Sequence, residues 1–243
     1  MTERLNAIVL GRVKHSDRSD IVTFYTRERG RMALAVGAGN GKAARQRRGQ
    51  LLPLSQVELT AHMDAAHDVG RLSDIFPVRL SGGIFLDPVK TAVGMFVTEF
   101  LGKLVRDAPA DTKMWDYVAE ALHLLDTMPP GRGVGNYPIT LLASLTAFAG
   151  IMPDVTGWRS DRIFDMRGGV FSDLRPGHRD IVEKEEARSV RTLSRLTFAN
   201  CGRLRLSRED RRRILEGLLR YYAIHLPGTG GMKSPEVLAE VLG

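Results

Sequence analysis

Residues 5–36 read LNAIVLGRVKHSDRSDIVTFYTRERGRMALAV, and this stretch favours β-strands over helices. Leu5–Lys14 and Ile21–Thr26 are rich in apolar and β-branched residues, and a polar run at residues 16–20 separates them. Gly30 then stands where a hairpin turn needs a positive φ, and Arg31–Val36 returns as a third strand.

Two further extended segments follow, Leu54–Ala61 and Val69–Pro77. Five short strands within the first 80 residues, with no long helix among them, predict a small closed or nearly closed barrel. The glycine-rich run Gly37–Lys42 is predicted to be a loop that opens into an arginine-rich segment, whose guanidinium groups are expected on a mobile loop beside the barrel.

Beyond residue 81 the apolar residues recur at helical spacing. Asp87 and Pro88 suit the start of a helix that continues to Arg106. Residues 151–180 are irregular, with a small hairpin expected near Ile163-Phe164 and Val170-Phe171. We therefore predict a β-barrel domain over residues 1–80 and a helical domain over 81–243, whose further helices span residues 112–126, 136–150, 193–200, 208–226 and 234–242.

The composition is that of an ordinary globular protein with a basic balance. Of its 243 residues 43% are hydrophobic and 26% are charged, and the net charge is +7. A basic protein suits an acidic partner such as nucleic acid, although charge says nothing about fold. Cys201 is the only cysteine, which excludes an intrachain disulfide and a multi-cysteine metal site. With no signal peptide or membrane-spanning run in the sequence, we expect a cytoplasmic protein that binds no membrane.

The segment from residue 27 to residue 50 holds seven cations and a single carboxylate, Glu28. Guanidinium groups beside a barrel can follow a phosphate backbone and release its condensed counterions. Phe24 and Tyr25 lie on the adjacent strand, where alternation would turn one ring outward to stack on a base. A solvated loop beside two core aromatics would explain the same pattern. The predicted DNA-binding residues are Tyr25, Arg27, Arg29, Arg31, Lys42, Arg45, Arg47 and Arg48.

A second candidate surface lies between Arg203 and Leu226. A basic rim beside apolar residues at helical spacing suits an acidic peptide that ends in a hydrophobic residue. A solvated face over an ordinary core helix explains the pattern equally well. The candidate residues are Arg208, Arg211, Arg212, Leu215, Leu219, Tyr222 and, beyond this helix, Lys233.

Signals for catalysis are weak. The residue after Lys42 is Ala43, so the hydroxyl that a nucleotide-hydrolysing loop uses for Mg²⁺ is missing. The histidines, including His62 and His67, have no metal-ligand spacing, and no nucleophile elbow is present. We predict a protein that is not an enzyme and that needs no cofactor or metal. One alternative is an enzyme in which acids of the irregular loop hold a metal, namely Asp154, Asp161, Asp165 and Asp173.

Several short stretches together resemble the bacterial RecO family. They appear in the family's order along nearly the whole chain, although each is only moderately specific. The stretches are Gly11-Arg12-Val13, Asp20–Thr26, Gly30, Gly37–Lys42, Leu51–Leu54, Leu141–Pro153, Tyr221–Leu226 and Lys233–Leu238.

The resemblance implies an amino-terminal OB-fold and a helical carboxy-terminal domain. It also implies binding of single- and double-stranded DNA, annealing of complementary strands, and cooperation with RecR in loading RecA onto strands covered by single-stranded DNA-binding protein (SSB). RecO proteins bind the acidic SSB tail, and a location at the nucleoid would follow. Many relatives carry a four-cysteine zinc site, whereas residues 154–173 hold no cysteine here, so we expect no zinc. A different OB-fold protein, associated with RNA or ribosomes, is the alternative.

Overall fold

The computed structural model describes residues 1–17, 19–37, 39, 41–63 and 69–242. They form two compact units, Met1–Thr127 and Met128–Gly243. Arg18 in the first predicted turn, parts of the predicted loop at residues 37–42, and His67 lie outside the described residues. The domain division after residue 80 stays a prediction.

The first unit contains a closed five-stranded barrel. Its strands are β1 (Thr2–Lys14), β2 (Ser19–Thr26), β3 (Gly30–Gly37), β4 (Gln56–His62) and β5 (Gly70–Arg79), in the order β1-β2-β3-β5-β4. Strand β4 pairs with β1 and completes the circuit, while β3 and β5 run parallel. A small five-stranded barrel of this kind confirms the predicted OB-fold.

Strand β1 closes the barrel because it pairs with two neighbours. Its first half pairs with β4 from Thr2 to Ile8, and its second half pairs with β2 from Ala7 to Lys14. The register with β2 shifts between Val9 and Gly11, as a β-bulge that bends a strand would require. Inward side chains of all five strands form one apolar cluster that includes Phe24 and Leu34, both fully buried.

The β2–β3 hairpin turns at Gly30, whose φ is +71°, as predicted. A Cβ atom there would lie 3.4 Å from the carbonyl oxygen of Ala108. Glycine therefore meets two requirements at once, a left-handed conformation and close approach of a neighbouring loop.

Four helices complete the first unit: α1 (Lys42–Gln50), α2 (Gly82–Leu86), α3 (Pro88–Leu104) and α4 (Thr112–Thr127). Helix α3 begins as predicted, since the Asp87 carboxylate accepts hydrogen bonds from the backbone N–H of Val89 (2.8 Å) and Lys90 (3.0 Å). Helix α1 was not predicted: the arginine-rich segment that follows Gly37–Lys42 was expected to lie on a mobile loop and is helical instead.

Among its described residues, the second unit contains four α-helices, the short 3-10 helices Cys201–Arg203 and Pro227–Thr229, and a small sheet. The helices are α5 (Arg132–Phe148), α6 (Lys184–Leu193), α7 (Arg208–His225) and α8 (Ser234–Leu242), and the strands are β6 (Ile163–Asp165), β7 (Val170–Ser172) and β8 (Ile181–Val182). The predicted hairpin corresponds to β6 and β7, and β8 adds a third strand. No helix among the described residues has the length and apolarity that a membrane crossing requires.

The helix predicted over residues 193–200 is wrong, because α6 ends at Leu193 and a series of turns follows. The Asn200 side chain accepts a hydrogen bond from the Thr197 N–H (2.9 Å) and donates one to the Arg195 carbonyl (3.0 Å). Such side-chain bonds to the backbone compete with helix formation.

The segment 151–180 is held by aromatic packing and ion pairs. The Phe164 and Phe171 rings lie 5.1 Å apart in an edge-to-face contact, and Trp158 packs against their cluster. Asp173 accepts hydrogen bonds from Arg159 (2.5 Å) and Arg162 (2.6 Å). Among the described residues no group of three or more potential ligands is arranged to hold a metal ion.

Asp180 ties this sheet to α7, since it accepts hydrogen bonds from Arg167 on one side and Arg220 on the other, both at 2.6 Å. These bonds, that from Arg167 first, hold the pKa of Asp180 below its ordinary value. A carboxyl whose pKa is lowered in the fold stabilises it above the pKa of the unfolded chain, and loses that contribution as the pH falls.

Replacing Asp87 with alanine should lower the free energy of unfolding by about 1 kcal/mol, because two backbone N–H groups at the start of α3 lose their acceptor. Urea unfolding followed by circular dichroism measures the change. Asp107→Ala, at an exposed position outside a helix, is the control. Equal stability of the Asp87→Ala protein and the wild type would contradict the capping role.

Asp180→Asn should lower the melting temperature at neutral pH and flatten its decline in acid. The wild type loses the Asp180 contribution below about pH 4, where an aspartate in an unfolded chain titrates, whereas the variant has none to lose. Thermal unfolding between about pH 7 and pH 3 measures both effects. Asp161→Asn, which loses a single 3.4 Å contact with Arg159, should behave as the wild type does.

Candidate nucleic-acid interface

One outer face of the barrel is open and lined by short side chains. The strand registers align Val13, Ile21, Ala35 and Arg71 in a row across β1, β2, β3 and β5. Their sequence neighbours Val22, Leu34 and Leu72 lie in the core, so alternation turns this row outward. The next row contains Gly11, Thr23 and Ala33. The short side chains leave room for a polymer to lie close to the sheet.

Beside this open face, a third row passes beneath α4. Ile8, Tyr25 and Arg31 are aligned in it, and the indole N–H of Trp115 donates a hydrogen bond to the Tyr25 carbonyl (3.0 Å). Tyr25 is 2% exposed and its burial raises the pKa of its hydroxyl. Phe24 is wholly buried in the barrel core. The prediction that one of these rings stacks on a base is therefore wrong, because a helix covers the outward ring.

The arginines of the β2–β3 hairpin divide into paired and unpaired side chains. Arg27 donates to Asp116 (2.7 Å), which lowers the pKa of that carboxyl, and Arg29 is bonded to Glu3. Arg31 is exposed and forms no ion pair with a described residue. Of the three, Arg31 is the side chain most open to a phosphate.

Helix α1 carries the other predicted cations. It has no acid in its first turn and no buried apolar residue among its described side chains. Arg45 is exposed and Arg47 is partly exposed, and neither is paired with a carboxylate in the described chain. Arg48 donates to the Gly39 carbonyl (2.9 Å). Lys42 is the first residue of the helix.

Arg71 belongs with this group, and the sequence reasoning missed it. It is exposed, forms no ion pair among the described residues, and lies on β5, the strand against which α1 packs. Alternation with Leu72 could have indicated from the sequence that Arg71 points outward. Its position beside Ala35, however, depends on the parallel pairing of β3 with β5. No carboxylate occurs between Glu28 and Glu58, and within this stretch Arg31, Arg45 and Arg47 have no carboxylate partner among the described residues.

The second predicted surface is a cavity of about 240 Å³ between α7 and α8. Leu215, Leu219, Leu238 and Leu242 contribute its apolar lining, and the predicted Arg208, Arg211 and Arg212 lie around it. The structure therefore brings together five of the seven residues predicted for this surface. It also adds residues of helix α8 to the lining, which the site prediction did not include.

Arg211 lines this cavity and is hydrogen-bonded to neutral groups alone among the described residues. Its guanidinium donates to the Asn136 side chain (3.4 Å) and to the Leu242 carbonyl (3.3 Å), with no carboxylate partner in the described chain. Burial, and secondly Arg208, lowers its pKa. Arg208 is exposed without an ion pair, whereas Arg212 contacts Glu209 at 3.5 Å. An anion here would meet two cations without a counter-charge.

Two predicted members do not belong to this cavity. Tyr222 is wholly buried and its hydroxyl donates to the Leu142 carbonyl (2.8 Å), so its assignment to peptide binding is wrong. Lys233 is exposed just before α8 and does not line the cavity.

A larger apolar cavity, about 1050 Å³, is lined by parts of α5, α6 and α7. At its edge, Arg213 is bonded to both Glu186 and Asp210. The acids of the irregular loop are engaged too, since Asp154 binds Thr156 and Asp161 lies 3.4 Å from Arg159. Neither feature brings unpaired reactive groups together among the described residues.

The chain matches known proteins over nearly its whole length. Residues 1–80 match the family model described as recombination protein O N terminal, and residues 86–235 match the model described as recombination protein O C terminal. Over 237 residues it is 31% identical to the DNA repair protein RecO of Porphyromonas gingivalis strain W83, with 96% of each chain covered.

Other relatives agree. The DNA repair protein RecO of Phocaeicola vulgatus is 28% identical over 244 residues, and that of Flavobacterium psychrophilum is 27% identical over 243, each with 99% of both chains covered. Both family models and these full-length relatives lead to one conclusion. The chain belongs to the recombination protein O (RecO) family of DNA repair proteins.

Proposed function

We propose that this RecO-family protein is a non-catalytic mediator that binds single- and double-stranded DNA through its barrel and anneals complementary strands. The main support for this proposal is that the sequence has no carboxylate between Glu28 and Glu58. In addition, four arginines of the described barrel and α1 have no carboxylate partner there, namely Arg31, Arg45, Arg47 and Arg71. These cations would replace counterions along a phosphate backbone, and binding of that kind is independent of sequence.

The buried aromatics support annealing in particular. Stacking of bases on aromatic rings adds about 1–3 kcal/mol per base in other single-strand binders. Here Phe24 and Tyr25 are enclosed, so neither ring holds a base, and strands bound by their phosphates would keep their bases free to meet a complementary strand. Neutralised phosphates repel a second strand less. Annealing would then require neither a nucleotide cofactor nor a covalent step.

We further propose that the α7–α8 cavity receives the acidic tail of SSB. Arg208 and Arg211 would bind carboxylates while an apolar side chain enters between Leu215, Leu219 and Leu238. Cooperation with RecR and the indirect loading of RecA belong to the same proposal and rest on the family relationship. The protein would thereby act on DNA that SSB already covers, at the bacterial nucleoid in the cytoplasm.

Changing Arg45 and Arg47 together to glutamine should weaken single-stranded DNA binding and slow annealing. Each lost phosphate contact lowers the slope of log K against log salt by about 0.7, so two contacts remove about 1.4. Fluorescence anisotropy over a salt series measures this slope, and annealing of labelled complementary oligonucleotides measures the rate.

The matched control for this experiment is Arg106→Gln with Lys113→Gln, which removes the same charge from exposed positions elsewhere in the first unit. It should retain the wild-type slope. Equal losses in both variants would show that net charge alone is responsible. Tighter binding of RNA than of DNA of equal length would contradict the proposal and favour an RNA-binding role.

Arg208→Gln should weaken binding of an acidic peptide that ends in an aromatic residue. A hydrogen-bonded charge pair contributes about 1.5–3 kcal/mol, so the dissociation constant should rise about tenfold or more. Calorimetry with the peptide measures it, and Arg179→Gln, exposed in the same unit, is the control. Unchanged affinity in Arg208→Gln would place the peptide site elsewhere.

A further inference from the structure

A second set of unpaired arginines lies on the carboxy-terminal unit. Between Asp126 and Asp154, and again between Glu186 and Glu209, the sequence contains no carboxylate. These two stretches meet in the fold, because a Cβ atom on Gly202 would lie 4.0 Å from the backbone nitrogen of Gly133. The Asn136 side chain joins them further by donating to the Cys201 carbonyl (2.8 Å).

The turn around Asn200 brings three arginines of these stretches close together in the backbone. Asn200 is bonded to the Arg195 carbonyl (3.0 Å), and its own carbonyl accepts from the Arg203 N–H (2.9 Å). Arg132 precedes Gly133 at the start of α5, whose first turn has no acid. The turn thus places Arg195, Arg203 and Arg132 around one patch of backbone.

Arg205 joins this patch by strand-like alternation. The backbone is extended at Leu204 and at Ser207, and both Leu204 and Leu206 line the larger apolar cavity. Arg205 therefore points to the opposite side, and it is exposed, as is Arg203, the last residue of the short 3-10 helix Cys201–Arg203. We call Arg132, Arg195, Arg203 and Arg205 the second arginine surface.

None of these four arginines is paired with an acid among the described residues. The contrast within the same unit is clear, since Arg159, Arg162, Arg167 and Arg175 all contact carboxylates. Four like charges held together without compensation repel one another, and that repulsion favours a polyanion as partner.

We propose that the second arginine surface binds the phosphodiester backbone of a second nucleic-acid strand, so that one chain holds two strands at once. Its polar and glycine floor, with Gly133, Asn200 and Gly202, suits a backbone that carries charge but no apolar side chain. An acidic peptide is better suited to the leucine-lined α7–α8 cavity. The inference rests on the proposed function for the nature of the polyanion.

The test counts strands per chain. Two non-complementary oligonucleotides of about 12 nucleotides, within the site sizes of single-strand binders, carry different dyes, and sedimentation with two-colour detection gives the stoichiometry on the intact protein. We expect two strands per chain for the wild type and one for Arg203→Gln with Arg205→Gln. Losing two phosphate contacts should weaken the second strand about tenfold.

The control is Arg179→Gln with Arg188→Gln, an equal charge loss at exposed positions in the same unit, which should still bind two strands. One strand per wild-type chain, or two on the Arg203→Gln, Arg205→Gln protein, would overturn the inference and leave DNA binding by the barrel intact. Displacement of the second strand alone by polyglutamate would also overturn it, in favour of an acidic protein partner. Failure of the wild type to bind either oligonucleotide would refute the proposed function itself.

Discussion

The pairing of β1 with both β2 and β4 is the constraint on which the amino-terminal unit depends. One 13-residue strand changes partner near its middle, where the register shifts between Val9 and Gly11. That arrangement closes the barrel and fixes which side chains point outward. A slip of one residue would exchange core and surface along a whole strand. The row that ends at Arg71 therefore faces outward because the closed barrel fixes the strand registers, and its sequence alone does not determine this.

The arginines of this chain fall into two groups, which differ in whether a carboxylate partner is present among the described residues. Arg167 and Arg220 meet on Asp180 and tie a small sheet to a helix, in a segment that holds no cysteine. Arg45, Arg47 and Arg71 have no such partner in the described chain. Exposed ion pairs contribute little individually, so networks centred on one carboxylate are the more effective arrangement. Unpaired cations repel one another and so lower the stability of the folded protein, and a bound polyanion would remove that repulsion.

Local patterns were sufficient to predict the five barrel strands, the β6–β7 hairpin and the long helices α3, α4, α5 and α7, because alternation and helical spacing are encoded in neighbouring residues; β8 and α6 were missed. Helix α1 was missed since Lys42–Gln50 contains no apolar stripe. The Tyr25 prediction failed because strand alternation cannot reveal that α4 covers the outward ring. Arg71 required the parallel pairing of β3 with β5, a contact between strands far apart in sequence. The α7–α8 cavity was predicted from its α7 residues only, and Tyr222 was assigned to the wrong side of that helix.

Whether a cationic surface selects nucleic acid or peptide depends on what lies beside the charge. A phosphate backbone offers repeated charge and no side chain to bury, so it gains nothing from an apolar floor. A peptide tail offers both, and burial of one aromatic side chain is worth about 1.5–3 kcal/mol. The α7–α8 cavity joins Arg208 and Arg211 to four leucines, whereas α1 and the second arginine surface present arginines over polar or glycine-rich backbone. By this criterion, the apolar area beside the charge would decide which partner each surface accepts, since all of these surfaces carry the same sign of charge.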